Sequence, residues 1–324
     1  MKKKVKSWIC ICLLFVMATG MVACVKQAPP VVKEETAVQI NPLPEAINKD
    51  KATARLYFGY LQEPLLVGES MVVDVPINEN VETAIIKKLI NGPSTARVDF
   101  VQLINPATKV VDVTPNDSGF LTVTLSKEFL LPVETAVDKN MEENPYEKTR
   151  KYLAVYSIVN TIIEQGNYSR VRILIDDEGT GTGRTITQQE AGLDGTGATE
   201  PFARNGEIEL NSKNTMIEIL DAIEKKNWTK LYEYIAYKNA YGQDKPSIDD
   251  FISEVDTSKL AISDTAVGDS IVSIDGLNDV VMVDYMLKLR VDEVKSFANV
   301  PIKLVQENNI WKISYNVFKK NFMY

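Results

Sequence analysis

One class of catalytic side chain is missing altogether, because the 324-residue chain contains no His. That removes the commonest general base, the Ser-His-Asp triad and the commonest zinc ligand together. Its three cysteines, Cys10, Cys12 and Cys24, all lie near the N-terminus, so everything after Cys24 is free of thiol chemistry, disulfides and Cys-ligated metal. What remains is carboxylates, Lys, Tyr and hydroxyls. The sharpest acidic cluster is Asp176-Asp177-Glu178, which runs into Gly179-Thr180-Gly181-Thr182-Gly183. Oxygen ligands in a row suit calcium or magnesium. The spacing fits no EF-hand loop, however, and consecutive strand residues face opposite sides, so the cluster reads as a solvated strand end. The Gly-Thr run resembles half of a phosphate-cradling loop, but it lacks the Gly-Lys-Ser/Thr ending and precedes no apolar helix, and it reads as flexible chain. Asp284 and Tyr285 could do acid-base work if a pocket formed around them. The alternation there puts Asp284 on the solvated side, opposite its neighbours Val283 and Tyr285, and no constellation converges on either. The residues therefore call for no catalytic set, no cofactor and no metal, and the chain reads as a non-enzyme.

The N-terminus carries a different kind of chemistry. Lys2, Lys3, Lys4 and Lys6 precede a continuous apolar run from Trp8, and small residues follow just before Cys24, the pattern of a secretory signal. The run is shorter than the ~20 apolar residues of a membrane span. Met21-Val22-Ala23-Cys24 resembles the lipobox of bacterial lipoproteins, with Met21 where Leu is usual. That resemblance implies cleavage before Cys24 and attachment of diacylglycerol to it, anchoring the protein on the extracytoplasmic face of the cell membrane. Loss of residues 1–23 removes four Lys and no acid, leaving 32 basic against 44 acidic residues, a net charge of −12. No basic surplus remains to displace counterions from phosphates, so a nucleic-acid partner is not expected.

The elements that would position any site fall into blocks. Residues 24–50, with Pro29, Pro30, Pro42 and Pro44 and no sustained period, read as a tether. Residues 51–178 read as a first domain. It begins with a strand in which Leu56, Phe58 and Tyr60 alternate with polar positions, followed by a short strand over 71–75. A helix then places Val81, Ala84, Ile85 and Leu89 on one face and stops at Gly92-Pro93. The runs TKVVDV and GFLTVTL make a hairpin. A long helix starts at Asn144-Pro145 and carries Tyr152, Val155, Tyr156, Val159, Ile162 and Ile163 as a stripe, and Val171, Ile173 and Ile175 form the closing strand. The order β, β, α, β, β, α, β implies an α+β or α/β layer with helices covering one face of a sheet.

Residues 179–210, rich in Gly and Thr and poor in hydrophobes, read as a mobile connection. Residues 211–324 read as a second domain. Its first helix carries Met216, Leu220 and Ile223 on one face, its second Trp228, Leu231 and Ile235, and its third is capped by Ser247 with Asp250 completing the box. A clean alternation through Val281, Val283, Tyr285, Leu287 and Leu289 follows. After it comes a hairpin about Asn308-Asn309 with Trp311, Ile313, Tyr315 and Val317 on one face.

Several of these residues carry a family resemblance. Leu56-Tyr57-Phe58, the helix ending Leu89-Ile90-Asn91-Gly92-Pro93, the strands around Thr108 and Leu121, and Tyr156-Ser157-Ile158-Val159-Asn160-Thr161 leading to Val171 together look like the GerMN domain of bacterial sporulation and spore-germination lipoproteins. The likeness covers roughly residues 50–178. It implies an α+β, ring-building-motif-like module without catalysis on the outer side of a membrane. Residues 212–324 resemble an NTF2-like domain of helices and a curved sheet. On these readings Ser157, Asn160 and Thr161 pack and cap against adjacent strands, while sheet edges and exposed helix faces of the first domain meet an envelope protein or a second copy. The expected role is a lipid-anchored assembly or interaction module in sporulation or germination. The alternative is an exported ligand-binding lipoprotein whose second domain encloses an apolar cavity among Trp228, Tyr285 and Trp311.

Overall fold

The apolar repeats condense into two α+β layers. A computed structural model describes residues 49–116, 118–133, 145–238, 241–273, 276–290 and 293–323. The signal, Cys24, nearly all of the tether and the cap Asn144 lie outside these residues. Strand β1 (Lys49–Tyr60) pairs antiparallel with β2 (Leu66–Pro76), and at its far end with β3 (Phe100–Val101), in the order β2-β1-β3. Helix α1 (Val81–Ile90) starts where the Asn80 side chain accepts from Thr83 N at 2.8 Å. Ala84, Ile85, Ile86, Leu89 and Ile90 are buried, whereas Val81, at the helix's first turn, is 42% exposed.

The hairpin forms as expected, β4 (Val110–Pro115) against β5 (Phe120–Ser126), and a 3-10 turn follows over Lys127–Leu130. Helix α2 (Pro145–Glu164) then crosses over, so that β6 (Arg170–Asp176) lies parallel to β5. Leu121, Val123 and Leu125 on β5 and Val171, Ile173 and Ile175 on β6 are completely buried. The expected single layer is thus two hydrogen-bonded sheets, β2-β1-β3 and β4-β5-β6-β7, with α2 packed on both β1 and β6.

The connection after β6 differs most from its sequence reading. Strand β7 (Arg184–Thr185) pairs with β6, Ile186 and Ala191 are buried, and Phe202 exchanges both backbone hydrogen bonds with Val171 at 2.8 and 2.9 Å. A few apolar residues suffice because close backbone approach does the rest. At Gly192, with φ +73°, a Cβ would stand 2.3 Å from Lys148 O on α2. The segment then joins the first sheet, since Leu66 N donates to Ile208 O and Leu210 N to Leu66 O, both at 2.7 Å.

Helices α3 (Ser212–Glu224), α4 (Trp228–Glu233) and α5 (Ile248–Ser258) precede an antiparallel sheet. Its strands are β8 (Ile262–Val272), β9 (Asn278–Arg290), β10 (Glu293–Glu307) and β11 (Ile310–Ile313), in the order β11-β10-β9-β8. The turn at Asn308 and Asn309, both with positive φ, is as anticipated. The strand expected through Tyr315 and Val317 is instead helix α6 (Tyr315–Phe322), in which Phe318 and Phe322, four residues apart, are both buried. Residues Asn48–Tyr324 make one compact unit. Across its two halves Tyr60 meets Tyr234 at 6.2 Å between ring centroids, and Lys230 reaches Glu63 at 2.9 Å.

Candidate functional site

Where α2, β1 and the connecting segment meet, the chain assembles a buried polar cluster. Ser157, Asn160, Thr161 and Glu164 recur at helical spacing along α2, so they share a face. Ser157 turns back on its own helix and donates to Ala154 O at 2.9 Å. Thr161 accepts from Tyr57 N at 3.0 Å, giving that strand residue's backbone a side-chain partner from the helix. Asn160 is completely buried and pins the connection by three bonds. It donates to Asn205 O at 2.8 Å and to Glu209 Oε1 at 2.9 Å, and it accepts from Asn205 N at 3.0 Å.

Arg204 closes the cluster. Its Nε and Nη2 grip Glu209 at 2.8 and 2.9 Å, its Nη1 pairs with Glu164, and Nη2 also donates to the Tyr57 hydroxyl at 2.9 Å. That hydroxyl lies 3.2 Å from Glu209 Oε2 and 3.4 Å from Glu164 Oε2. Burial, followed by the Glu209 charge, raises the Tyr57 pKa well above the ordinary phenol range. Hydrogen bonding to Glu209 pushes the Arg204 guanidinium further up. The phenol is thus held protonated, and one guanidinium occupies both carboxylates. The packing and capping role expected of Asn160 and Thr161 is what their contacts amount to.

The cluster forms one wall of a cleft of about 580 Å³ between the two halves. Arg55, Tyr57, Glu164, Arg204 and Glu209 line one side, and Lys213, Val272, Gln306 and Trp311 the other. Its volume suits a small molecule.

The sequence candidates separate in the structure. Asp176 is not a solvated strand end: it is 3% exposed, and its carboxylate accepts from Gly179 N, Thr180 N and Gly181 N at 2.8, 3.1 and 2.9 Å. The Gly-Thr loop does cradle an anion, and the anion is the chain's own. These amide bonds, that of Gly181 foremost, hold the Asp176 carboxyl below the usual range. Asp177 pairs with Arg184 at 2.6 Å on the surface. Among the described residues no group of three or more Asp, Glu, Cys or His side chains could share a metal.

Asp284 is exposed and accepts from Asn299 N at 2.6 Å. Tyr285 is buried in aromatic packing, 5.0 Å from Phe297 and 5.1 Å from Phe322, and donates to Asn321 O. Trp228 Nε1 bonds Asp256 at 2.8 Å. Of the three, Trp311 lines the cleft, whereas aromatic side chains pack closely around Tyr285. Tyr57, Arg204, Glu209 and Asp279 were missed by sequence reasoning. For Asp279 a signal existed: the period-two run through Val281 and Val283 extends back to it and places it on the buried row.

Residues 55–180 match the family described as Germane, sporulation and spore germination. Among curated proteins none matches the chain. Among solved structures, the tandem GerMN domains of the sporulation protein GerM from Bacillus subtilis align at 16% identity and TM-score 0.33, over 53% of this chain and 51% of that one. This chain thus spans about half the length of that protein. A candidate lipoprotein from Clostridium perfringens aligns at 19% identity and TM-score 0.26, over 50% of this chain and 91% of that one. An NTF2-like protein from Cytophaga hutchinsonii aligns at 18% identity and TM-score 0.23, over 31% of this chain and 87% of that one.

Proposed function

We propose, from the premise that residues 55–180 are a Germane domain of the sporulation and germination type, that this protein is a lipid-anchored, non-enzymatic assembly module of the cell envelope. Its N-terminal signal and Cys24 supply the anchor, with the folded unit held on the extracytoplasmic face. Among the described residues no helix is long and apolar enough to cross a membrane.

The family match carries the reading, and the geometry supports it at one surface in particular. Strand β2 is an outer strand of its sheet, paired along its length with β1 and bonded at Leu66, its first residue, to the connecting segment on the other side. Its outer half presents Val72 at 59% exposure, and Ile77 just beyond it is 68% exposed. An open edge flanked by apolar side chains offers main-chain hydrogen bonds to an added strand and side-chain contacts that select it. The partner is an envelope protein or a second copy of this chain.

The test is photo-crosslinking from position 72 in membranes of the producing cells. Discrete crosslinked species that disappear when the probe sits at exposed Lys225 are the expected result. Monomer alone from position 72 would count against assembly through this edge. Labelled palmitate is expected in the parent chain and absent from Cys24→Ala; incorporation surviving that change removes the anchor.

A further inference from the structure

On the C-terminal side of the cleft, one buried acidic side chain stands without a hydrogen-bond partner among the described residues. Asp279 is 0% exposed, and neither of its carboxylate oxygens accepts a hydrogen bond. It pairs in register with Val272 on β8 and Leu304 on β10, and Leu304 pairs with Ile313 on β11. Leu304 and Ile313 are completely buried, so this row is the inner face of the sheet. The next row along is Gln306 with Trp311, and Val272, Gln306 and Trp311 all line the cleft. Directly opposed side chains in such a pair stand about 5 Å apart, and diagonal ones somewhat further. Asp279 does not itself line the cleft; it is the register partner of the cleft-lining Val272 and stands one row from the cleft-lining Gln306, whose unbranched side chain can turn aside to admit a ligand.

Helix α3 covers the same region, packing on β8, β9 and β11. Its Thr215 is completely buried, and the hydroxyl also lacks a partner. Ser212 and Lys213, in the first turn of that helix, line the cleft. Among the cations lining the cleft, Arg55 has a buried Nε with no acceptor, and Lys213 takes part in none of the ion pairs formed among the described residues. Arg204 is a different case, since Glu164 and Glu209 neutralise it.

An unpaired buried carboxylate opposes folding strongly, and an apolar residue of similar size would remove that penalty. A ligand that supplies the missing donors offsets that penalty when bound. We infer that the cleft binds a small dipolar molecule, whose ammonium group is seated against Asp279, whose apolar body lies along Trp311 and Val272, and whose anionic group is held by Arg55 and Lys213. The inference is independent of the assembly reading and uses a different surface.

The test is calorimetric titration of the full chain in detergent with phenylalanine, N-acetylphenylalanine and phenylalaninamide. Phenylalanine carries both charged ends, and each derivative lacks one. Phenylalanine is expected to bind at least about 10-fold more tightly than either derivative, the order of effect of losing one charge-assisted contact. Asp279→Asn is expected to erase the preference for the free amine while leaving the preference for the free carboxylate. Asp279→Leu is expected to abolish binding and to melt above the parent chain when no ligand is present. Equal affinity for the three probes, no heat with any of them, an amine preference that survives Asp279→Asn, or a Leu variant that melts below the parent each overturns the proposal.

Discussion

Asp176 and Asp279 occupy comparable places, one at the end of β6 and the other near the start of β9. They are 3% and 0% exposed, yet their surroundings are opposite. The chain wraps three backbone amides around Asp176, which becomes the anion that organises its own loop. Around Asp279 it places Val272, Leu304 and Val281, and among the described residues no hydrogen-bond donor reaches either oxygen. Burial by itself therefore does not tell a fold-building carboxylate from one kept for another purpose; the donor inventory does. The largest expected effect follows on the Asp176 side. Asp176→Ala strands three amides in a loop with few apolar contacts, and it should lower the melting temperature by several degrees and expose 179–192 to proteolysis. An unchanged melting curve and an intact loop would erase the contrast at its first pole.

Asn160 sharpens the same comparison, because it shows what full satisfaction is worth in a site that does no chemistry. Its side chain makes three bonds that tie α2 to the connection and to Glu209. Asn160→Ala should cost about 2–3 kcal/mol in urea unfolding. Arg204 should stay paired with Glu164 and Glu209, so the loss is expected in the unfolding midpoint and not in the slope. A loss below about 0.5 kcal/mol, the range of an ordinary surface substitution, would show that the cluster contributes little to holding the connection.

Asp279 is expected to respond with the opposite sign. Replacing it by Leu removes a buried carboxyl group without hydrogen-bond partners and should add about 1–2 kcal/mol to the unliganded fold. A destabilisation instead would mean that Asp279 already has the donors it needs, and the two aspartates would be alike.

The same contrast explains what could be read from the residues in advance. Elements with a strong period were legible: β1, α2, the β4–β5 hairpin and the alternation of β9 follow from apolar spacing, and Ser247 marks its helix start correctly. Strand β8 left no pattern because it is an edge strand, exposed along almost its whole length. Helix α6 was read as a strand because Trp311, Ile313, Tyr315 and Val317 continue an alternation; the helical pair Phe318 and Phe322 outweighs it in the folded core. The cleft was invisible for a different reason. Tyr57, Asn160, Arg204 and Glu209 are separated by up to 152 residues along the chain, and no local spacing encodes their meeting. The Gly-Thr loop looked unstructured because its order comes from one carboxylate and from glycines at close approaches, neither of which hydrophobic periodicity registers.

The smallest effect lies on the surface beside Asp176 and tests whether the loop's outer ion pairs add anything to its buried one. Arg184 bridges Asp177 and Glu190, gripping Glu190 through Nη1 and Nη2 at 2.8 and 2.6 Å. Hydrogen bonding to Arg184 lowers the Glu190 pKa to about 2, from an ordinary value of 4.5. A carboxylate whose folded pKa is depressed stabilises fully above its unfolded value and progressively less as pH falls through the window down to about 2. Both partners are partly exposed, so solvent screening reduces the contribution to about 1 kcal/mol or less. Glu190→Gln should therefore melt slightly below the parent at pH 7, and the two curves should converge as pH is lowered from 5 towards 2.5. Asp176, also held below its ordinary range, is present in both chains, so the acid loss it causes cancels in the difference. A gap that stays constant with pH would assign the Glu190 effect to its contacts with Thr187 N and Oγ1, leaving the loop's organising charge with the buried Asp176 and not with Glu190.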